Sequence, residues 1–286
     1  MILVICGPTG VGKTKLSILL AKRYNGIIIN ADACQFYQGM DIGTAKIKES
    51  EKEGIKHYLL DNLTINDEYN IWDFQKEGRK IIEDNKDKNI IIVGGSGLYL
   101  SALLYDYKYK KQKEIDLSKY SNEELYEKVI KINPEANIDQ FNRRRLENYL
   151  KTGNVNTEKP KLLYDALFIG LTTDRNFLYN KIDTRVDEML KNGLLNEVKK
   201  LYTINPNSRI LNSAIGYKEV IKYLNNEISL DECINLIKKN SRHYAKRQYT
   251  WFNNKMNIKW FNTNYNNFNL TTDEVVNYIE NSYQKR

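Results

Sequence analysis

Cysteine is scarce in this chain. Three residues in 286, Cys6, Cys34 and Cys233, stand far apart and form no C-x-x-C pair. An odd number at such spacing argues against a disulfide framework and a cysteine-based zinc site, and it points to a reducing compartment. Long apolar runs are missing as well. No stretch of 18 apolar residues occurs, and no basic segment with an apolar core precedes the first motif, so neither a membrane helix nor a signal peptide is expected. A cytoplasmic protein with no membrane partner is the expectation. No internal repeat is visible. Negative charge is in deficit: 44 Lys and Arg face 36 Asp and Glu, for a formal charge of +8 and a pI near 9.0. The imbalance is local, because residues 196–260 hold twelve Lys and Arg against five Asp and Glu, a net +7. Such a stretch permits a nucleic-acid partner and is equally compatible with a solvated surface. With 41% hydrophobic residues the chain can bury a core in one or two domains.

What is present begins at residue 2. Ile2-Leu-Val-Ile-Cys6 reads as a buried parallel strand, and it opens into Gly7-Pro8-Thr9-Gly10-Val11-Gly12-Lys13-Thr14, which has the form G-x-x-x-x-G-K-T. From Lys13 onward Leu16, Leu19, Leu20 and Tyr24 mark an amphipathic helix. Strand, glycine loop and helix in that order form a P-loop. The glycines let successive N–H groups turn inward, and the helix start adds roughly half a positive charge, so the loop suits phosphate. Lys13 supplies a mobile charge for the outer phosphate, and the Thr14 hydroxyl is placed to ligate a Mg²⁺ bridging phosphate oxygens.

A second strand, residues 26–30, ends at Asp32. In open α/β sheets ligands bind beyond the carboxyl ends of strands, which sets this carboxylate beside the P-loop mouth if the two strands are near neighbours. Its competing reading is a helix cap. Residues 40–46 and 56–61 show no regular period and read as a surface excursion with polar contacts. A helix is expected over 72–84 and a third strand over 89–93. That strand runs into Gly94-Gly95-Ser96-Gly97 where a P-loop ATPase would carry a metal-binding aspartate. These glycines allow close approach of a ligand or of another backbone.

Charged helical patterns replace the strand runs from about residue 108 to 165. Ser121-Asn-Glu-Glu124 is a capping box, and a helix over 138–151 carries Arg143, Arg144 and Arg145 before Gly153 stops it. This predicts a helical insertion over 108–165 in a P-loop α/β core made of 1–107 and 166–286. Strand character returns at 166–171. Asp174 caps a helix ended by Gly193, and Ser229-Leu-Asp-Glu232 opens a long helix through residue 252. Lys239, Arg242 and Lys246 recur on one face of it, with Arg247 adjacent, while Ile234, Ile237, Tyr244 and Trp251 suit a buried face. The charged face reads either as solvated or as phosphate-contacting. A short strand at 258–261 and a helix at 271–280 close the chain. Two activities fit these features, a small-molecule kinase with ATP in the P-loop and Asp32 as base, and a transferase whose P-loop holds a departing pyrophosphate.

The ordered set of Gly7-Pro-Thr-Gly-Val-Gly-Lys-Thr14, Asp32-Ala-Cys-Gln-Phe-Tyr37, Gly39-Met-Asp-Ile-Gly-Thr-Ala-Lys46, Val93-Gly-Gly-Ser-Gly-Leu-Tyr99, Ala214-Ile-Gly-Tyr-Lys218 and Ala245-Lys-Arg-Gln-Tyr-Thr-Trp251 resembles the bacterial tRNA dimethylallyltransferases over essentially the whole chain. The resemblance implies a P-loop NTPase-like parallel sheet flanked by helices, with a mostly helical insertion. It implies transfer of a dimethylallyl group from dimethylallyl diphosphate to the exocyclic amine of the adenosine 3′ of the anticodon, with Mg²⁺ and release of pyrophosphate. Carried over residue by residue, the P-loop role falls on Gly7, Pro8, Thr9, Gly10, Val11, Gly12, Lys13 and Thr14, and the general base on Asp32. Contacts to the tRNA anticodon stem-loop fall on Asp32, Ala33, Cys34 and Gln35, on Arg144, Arg145, Leu146, Glu147 and Asn148, and on Ser213, Ala214, Ile215, Gly216, Tyr217 and Lys218. Ser96 matches a position that meets the substrate base region. The chain departs from the family pattern at Asn30 and Ala33, where serine is usual, at Lys56, where proline is usual, and at Asn148, where a basic residue is usual. Arg242 and Arg247 are further candidates for the diphosphate. A monomer is expected. The neighbouring alternatives are an adenylate isopentenyltransferase acting on free nucleotide, the kinase, and a pure RNA-binding module.

Overall fold

The computed structural model describes residues 1–108, 115–153 and 160–284, and parts of the expected insertion, 109–114 and 154–159, lie outside these described residues. The chain divides into two compact units, one comprising Met1–Glu68, Lys80–Leu100 and Asp165–Arg286, the other Tyr69–Arg79 and Ser101–Tyr164.

The first unit is built on strands β1 (Ile2–Cys6), β2 (Gly26–Asn30), β3 (His57–Tyr58), β4 (Asn89–Val93), β5 (Ala166–Thr172) and β6 (Lys259–Asn262). They form one parallel sheet in the order β3-β2-β4-β1-β5-β6. The unbroken Ile, Val and Leu runs of β1, β2 and β4 are what a sheet covered on both faces requires. Helices α1 (Lys13–Arg23), α6 (Arg175–Lys191), α7 (Leu194–Ile204), α8 (Tyr217–Leu224), α9 (Leu230–Lys255) and α10 (Phe268–Gln284) belong to this unit, and α2 (Ile71–Asp84) and α3 (Gly97–Leu104) cross its boundary. One apolar cluster joins Leu3 and Ile5 of β1, Leu16 and Leu20 of α1, Ile169 and Leu171 of β5, Leu178 of α6, Ala245 of α9 and Val275 of α10.

The register decides where the site lies. Val93 of β4 stands opposite Ile5 of β1 on one side and Asn30 of β2 on the other, so the loops after all three strands leave one edge of the sheet at the same level. β1 and β2 are not adjacent; β4 separates them. Asp32 is therefore one strand removed from the P-loop strand, at its carboxyl edge.

Residues 40–46 and 56–61 are only in part the surface excursion that their lack of periodicity suggested, since Met40, Lys46 and Leu59 are buried. β3, only two residues long, pairs with Ile28 and Ile29 of β2, and a strand that short leaves no period to read. Met40 is fully buried. Lys46 is buried too, its ammonium donating to the Tyr37 carbonyl at 2.7 Å and to Asp41 at 2.8 Å and pairing with Asp61. Three polar partners make this lysine a strut of the loop.

The second unit holds α4 (Asn122–Ile132) and α5 (Arg143–Thr152) around Leu117, Leu125, Val129, Leu146 and Tyr149. Its boundary differs from the expected 108–165. The first turns of α2 belong to it because Gln75 donates to the carbonyls of Ala102 and Tyr107, both at 2.8 Å, and Arg79 to those of Ala102 and Tyr105 at 3.0 and 2.6 Å. These bonds serve carbonyls at and beyond the end of α3, which an α-helix leaves unsatisfied. The capping box at Ser121 and Glu124 forms as the spacing predicts. α5 begins at Arg143 rather than 138, because the Asn142 side chain accepts from Arg145 N–H and starts the helix there.

Candidate active site

The P-loop is held open by side chains that bind its carbonyls. Lys13 Nζ donates to the Pro8 carbonyl at 2.7 Å, Tyr265 to Gly10 at 3.2 Å and Thr263 to Val11 at 2.8 Å. Gly7, Gly10 and Gly12 have φ of 134°, 87° and 93°, conformations that side chains disfavour. With its carbonyls turned outward to these donors, the loop directs N–H groups inward. Gly12 stands at the N-cap of α1 with no side-chain cap, so the first N–H groups of the helix keep their capacity for an anion.

Three ionisable groups share this end of the sheet. Burial pulls Lys13 down to about 8, against the attraction of Asp32 and with repulsion from Arg185. Burial raises Asp32 above the ordinary carboxylate value, while Lys13, the Cys34 N–H and Arg185 oppose the rise. Arg185, on α6, donates to the Thr9 hydroxyl at 3.1 Å. Its guanidinium is lowered mainly by burial, and Asp32 is the largest opposing influence. A lysine, an arginine and a carboxylate, each half-buried and acting on one another, form a net-cationic cup with one basic group at its rim.

Asp32 is aimed by its own turn. Asn30 Oδ1 accepts the Asp32 N–H at 3.1 Å while Asn30 Nδ2 donates to the Leu59 carbonyl at 2.8 Å, and Asp32 Oδ1 accepts the Cys34 N–H at 3.2 Å. The Asn30 side chain thus braces both the Asp32 turn and the Leu59 carbonyl at a position where serine is usual in the family pattern. Asp32 raises the pKa values of Cys34, Tyr99 and Tyr244, so these groups lie within its field. Burial puts the Cys34 thiol up at about 12, far from a nucleophilic thiolate.

The match to the IPP transferase family model spans residues 35–255. The chain belongs to the IPP transferase family. It is 44% identical to a tRNA dimethylallyltransferase of Anoxybacillus flavithermus, over 99% of this chain and 97% of that one. It is 42% identical to a tRNA dimethylallyltransferase of Bacillus cereus over 98% of this chain and 95% of the relative. Among solved structures it is similar to a tRNA isopentenylpyrophosphate transferase of Staphylococcus epidermidis, with 39% identity, 98% and 99% coverage and a TM-score of 0.76. A eukaryotic dimethylallyltransferase described as acting on tRNA aligns with a TM-score of 0.86 at 29% identity, covering 99% of this chain and 79% of its own. The fold is accordingly the P-loop NTPase-like sheet of the IPP transferases.

In this IPP transferase the expected site residues do not all stand alike. Ala33, Gln35 and Ser96 are half-buried, and Gln35 donates to the Thr44 carbonyl at 3.2 Å. Arg144 and Arg145 are exposed and in no ion pair among the described residues, and Asn148 is exposed. Glu147 pairs with Arg143 at 2.7 Å. Leu146, Ala214 and Tyr217 are buried, so their side chains face the protein interior, and Gly216, also buried, presents backbone alone. Tyr217 is spent internally: its hydroxyl donates at 2.6 Å to Glu197, whose carboxylate also accepts the N–H groups of Asp41, Ile42 and Gly43. Ser213 is exposed, Ile215 half-buried, and Lys218 lies 3.8 Å from Glu219. Arg242 is already engaged through Nη1, which donates to both Asp183 oxygens at 2.6 and 2.7 Å. Arg247 is exposed over the Tyr244 ring.

Arg185 and Gln248 are the site residues that sequence reasoning passed over. Arg185 sits in a helix with no flanking motif, and its only signal was a basic residue on the same side as Leu178 and Ile182, which are buried. Gln248 lay inside a quoted motif but on a face read as apolar.

Proposed function

We propose that this chain is a tRNA dimethylallyltransferase, transferring the dimethylallyl group of dimethylallyl diphosphate to the exocyclic amine of the adenosine 3′ of the anticodon. The observation that carries the reading is the pairing, at one sheet edge, of a cationic P-loop with a carboxylate whose proton affinity burial has raised. A kinase would need the cup alone with a metal-holding acid. A transfer to a weak nitrogen nucleophile needs both halves.

The diphosphate sits against the P-loop N–H groups, Lys13 and Arg185. Charge that develops on the departing pyrophosphate meets fixed donors, which lowers the barrier to breaking the allylic C–O bond. The adenine amine is conjugated into its ring, so Asp32 takes its proton as the new C–N bond forms. The base leaves its stack to reach this edge. Burial keeps the site from levelling these charges with water.

A Mg²⁺ fits as an ion carried on the diphosphate. Among the described residues no group of three or more His, Cys, Asp or Glu could cage one, whereas Thr14, in the first turn of α1, is exposed with its carbonyl already accepting from Ser17 at 2.8 Å. Its hydroxyl would supply the single protein ligand, with phosphate and water oxygens completing the shell. When bound, the ion adds Lewis-acid stabilisation of the leaving group.

The test is incubation of the protein with dimethylallyl diphosphate, Mg²⁺ and an anticodon stem-loop, without ATP. Isopentenyladenosine in the digested RNA, formed in step with pyrophosphate, is expected. ADP formed from added ATP, with no isopentenyladenosine and no pyrophosphate from the donor, would return the chain to the kinase class.

A further inference from the structure

Gln248 is 4% exposed on a helix face otherwise buried through Cys233, Ile237, Ala245 and Phe252. Both ends of its amide are used. Oε1 accepts the Thr9 N–H of the P-loop at 3.0 Å, and Nε2 donates to the Gly95 carbonyl at 2.9 Å. The amide occupies the space a Gly95 side chain would take, since a Cβ there would come 2.2 Å from Nε2 and displace it. The turn that carries Gly95 is itself wedged between the two halves of the site. Gly94 N–H donates to the Ile5 carbonyl of the P-loop strand at 3.1 Å, and a Cβ on Gly94 would meet the Ala31 carbonyl, next to Asp32, at 2.4 Å. One side chain therefore ties the loop that holds the donor to the turn that borders the base.

Packing alone does not ask for this residue. A methionine of similar length would fill the space, and a buried amide is tolerated only because both of its ends are bonded. The Thr9 N–H is also withdrawn from the set available to phosphate, which a loop built only for anion affinity would not favour.

We propose that Gln248 is a positioning residue that holds the donor loop in register with the acceptor-side turn, so that the allyl carbon is captured by the amine and not by water. The inference rests on the transferase reading above. As the C–O bond breaks, its electron pair leaves with pyrophosphate. The allyl carbon then takes a pair either from the adenine nitrogen, whose proton passes to Asp32, or from a water oxygen, giving dimethylallyl alcohol and a proton to solvent. Both routes release one pyrophosphate, so the ratio of pyrophosphate to modified adenosine reports the alignment. Transfer between two held groups is the route that suffers from a small displacement, by as much as ~100-fold for about 1 Å.

The experiment compares wild type with Gln248→Met, which fills the volume and loses both bonds, and Gln248→Glu, which keeps the acceptor and loses the donor. Labelled donor and stem-loop are mixed, and pyrophosphate and isopentenyladenosine are measured in the same quenched samples. Wild type should give a ratio near one. In both variants transfer should fall about 10–100-fold with a smaller change in donor KM, and the ratio should rise about 5-fold or more. A ratio held at the wild-type value while both products fall together would assign Gln248 a purely structural role and overturn the proposal. If Gln248→Met does not fold, Gln248→Glu carries the same comparison. A wild-type protein that releases no pyrophosphate and modifies no RNA would overturn the transferase reading itself, an outcome distinct from an unchanged ratio.

Discussion

Lys13 and Asp32 could be found from sequence because each sits at a fixed offset from a glycine loop or strand end, where backbone geometry restricts the choice of residue. Arg185 and Gln248 could not, because their roles come from what α6 and α9 meet after folding, and a helix position carries no mark of its distant partner. The Lys13 charge is expected to act on the leaving group and little on the fold. Lys13→Ala should lower single-turnover transfer by about two to three decades, or roughly 3–4 kcal/mol, with melting nearly unchanged. Near-normal turnover would remove the P-loop from the chemistry. Asp32→Asn keeps shape and loses the base, so the chemical step should fall by roughly 10²–10⁴ with donor binding preserved. A variant that cannot bind donor but reacts normally once saturated would make Asp32 a donor or metal ligand. The sign of the pH dependence follows from the same pair. Lys13 must be protonated and sits at about 8, so kcat/KM for the donor should fall as pH rises through about 8. In the donor-bound enzyme the diphosphate favours the charged lysine, which moves the alkaline limb of kcat upward. An alkaline limb at the same pH in both parameters would detach Lys13 from the titration.

At the scale of elements, β1, β2 and β4 were legible because parallel strands covered on both faces write themselves as short Ile and Val runs. The capping boxes at Ser121 and Ser229 were legible for the same reason, that a cap is a local bond between residues three apart. The segment 39–46 was not. Its conformation is imposed from α7, where the Glu197 carboxylate accepts three successive N–H groups and the Tyr217 hydroxyl. Glu197→Ala should therefore loosen that segment and destabilise the protein by roughly 1.5–3 kcal/mol, the scale of hydrogen bonds to a charged group. Hydrogen exchange should show the loss first at Ile42 and Gly43. Unaltered protection at these amides would mean that the loop is held by Lys46 instead.

The distribution of charge over the whole molecule bears on the acceptor. Of the twelve basic residues in 196–260, Lys218, Lys238 and Arg242 are in ion pairs, and the others are exposed. In the second unit Arg143 is committed to the carbonyls of Leu117 and Tyr120 and to Glu147, which leaves Arg144 and Arg145 for a ligand. Sequence could count these arginines but could not sort them, since the sorting depends on which carbonyls the folded unit brings to Arg143. A free mononucleotide needs only the cup at the sheet edge, and so much exposed positive surface suits a polyanion. The stem-loop should accordingly be a much better acceptor than AMP at equal concentration. Its affinity should fall with salt with a log–log slope of about −0.7 to −0.9 for each phosphate neutralised. Replacing Arg144 and Arg145 together with alanine should flatten that slope and raise KM for RNA, with donor KM unchanged, because neither arginine belongs to the donor cup. The measurement is prenylation against salt for both proteins, with a control loop carrying guanosine in place of the target adenosine. Faster reaction on AMP would move the chain to the free-nucleotide transferases, and an unchanged slope in the double variant would place the RNA on the basic surface of the first unit alone.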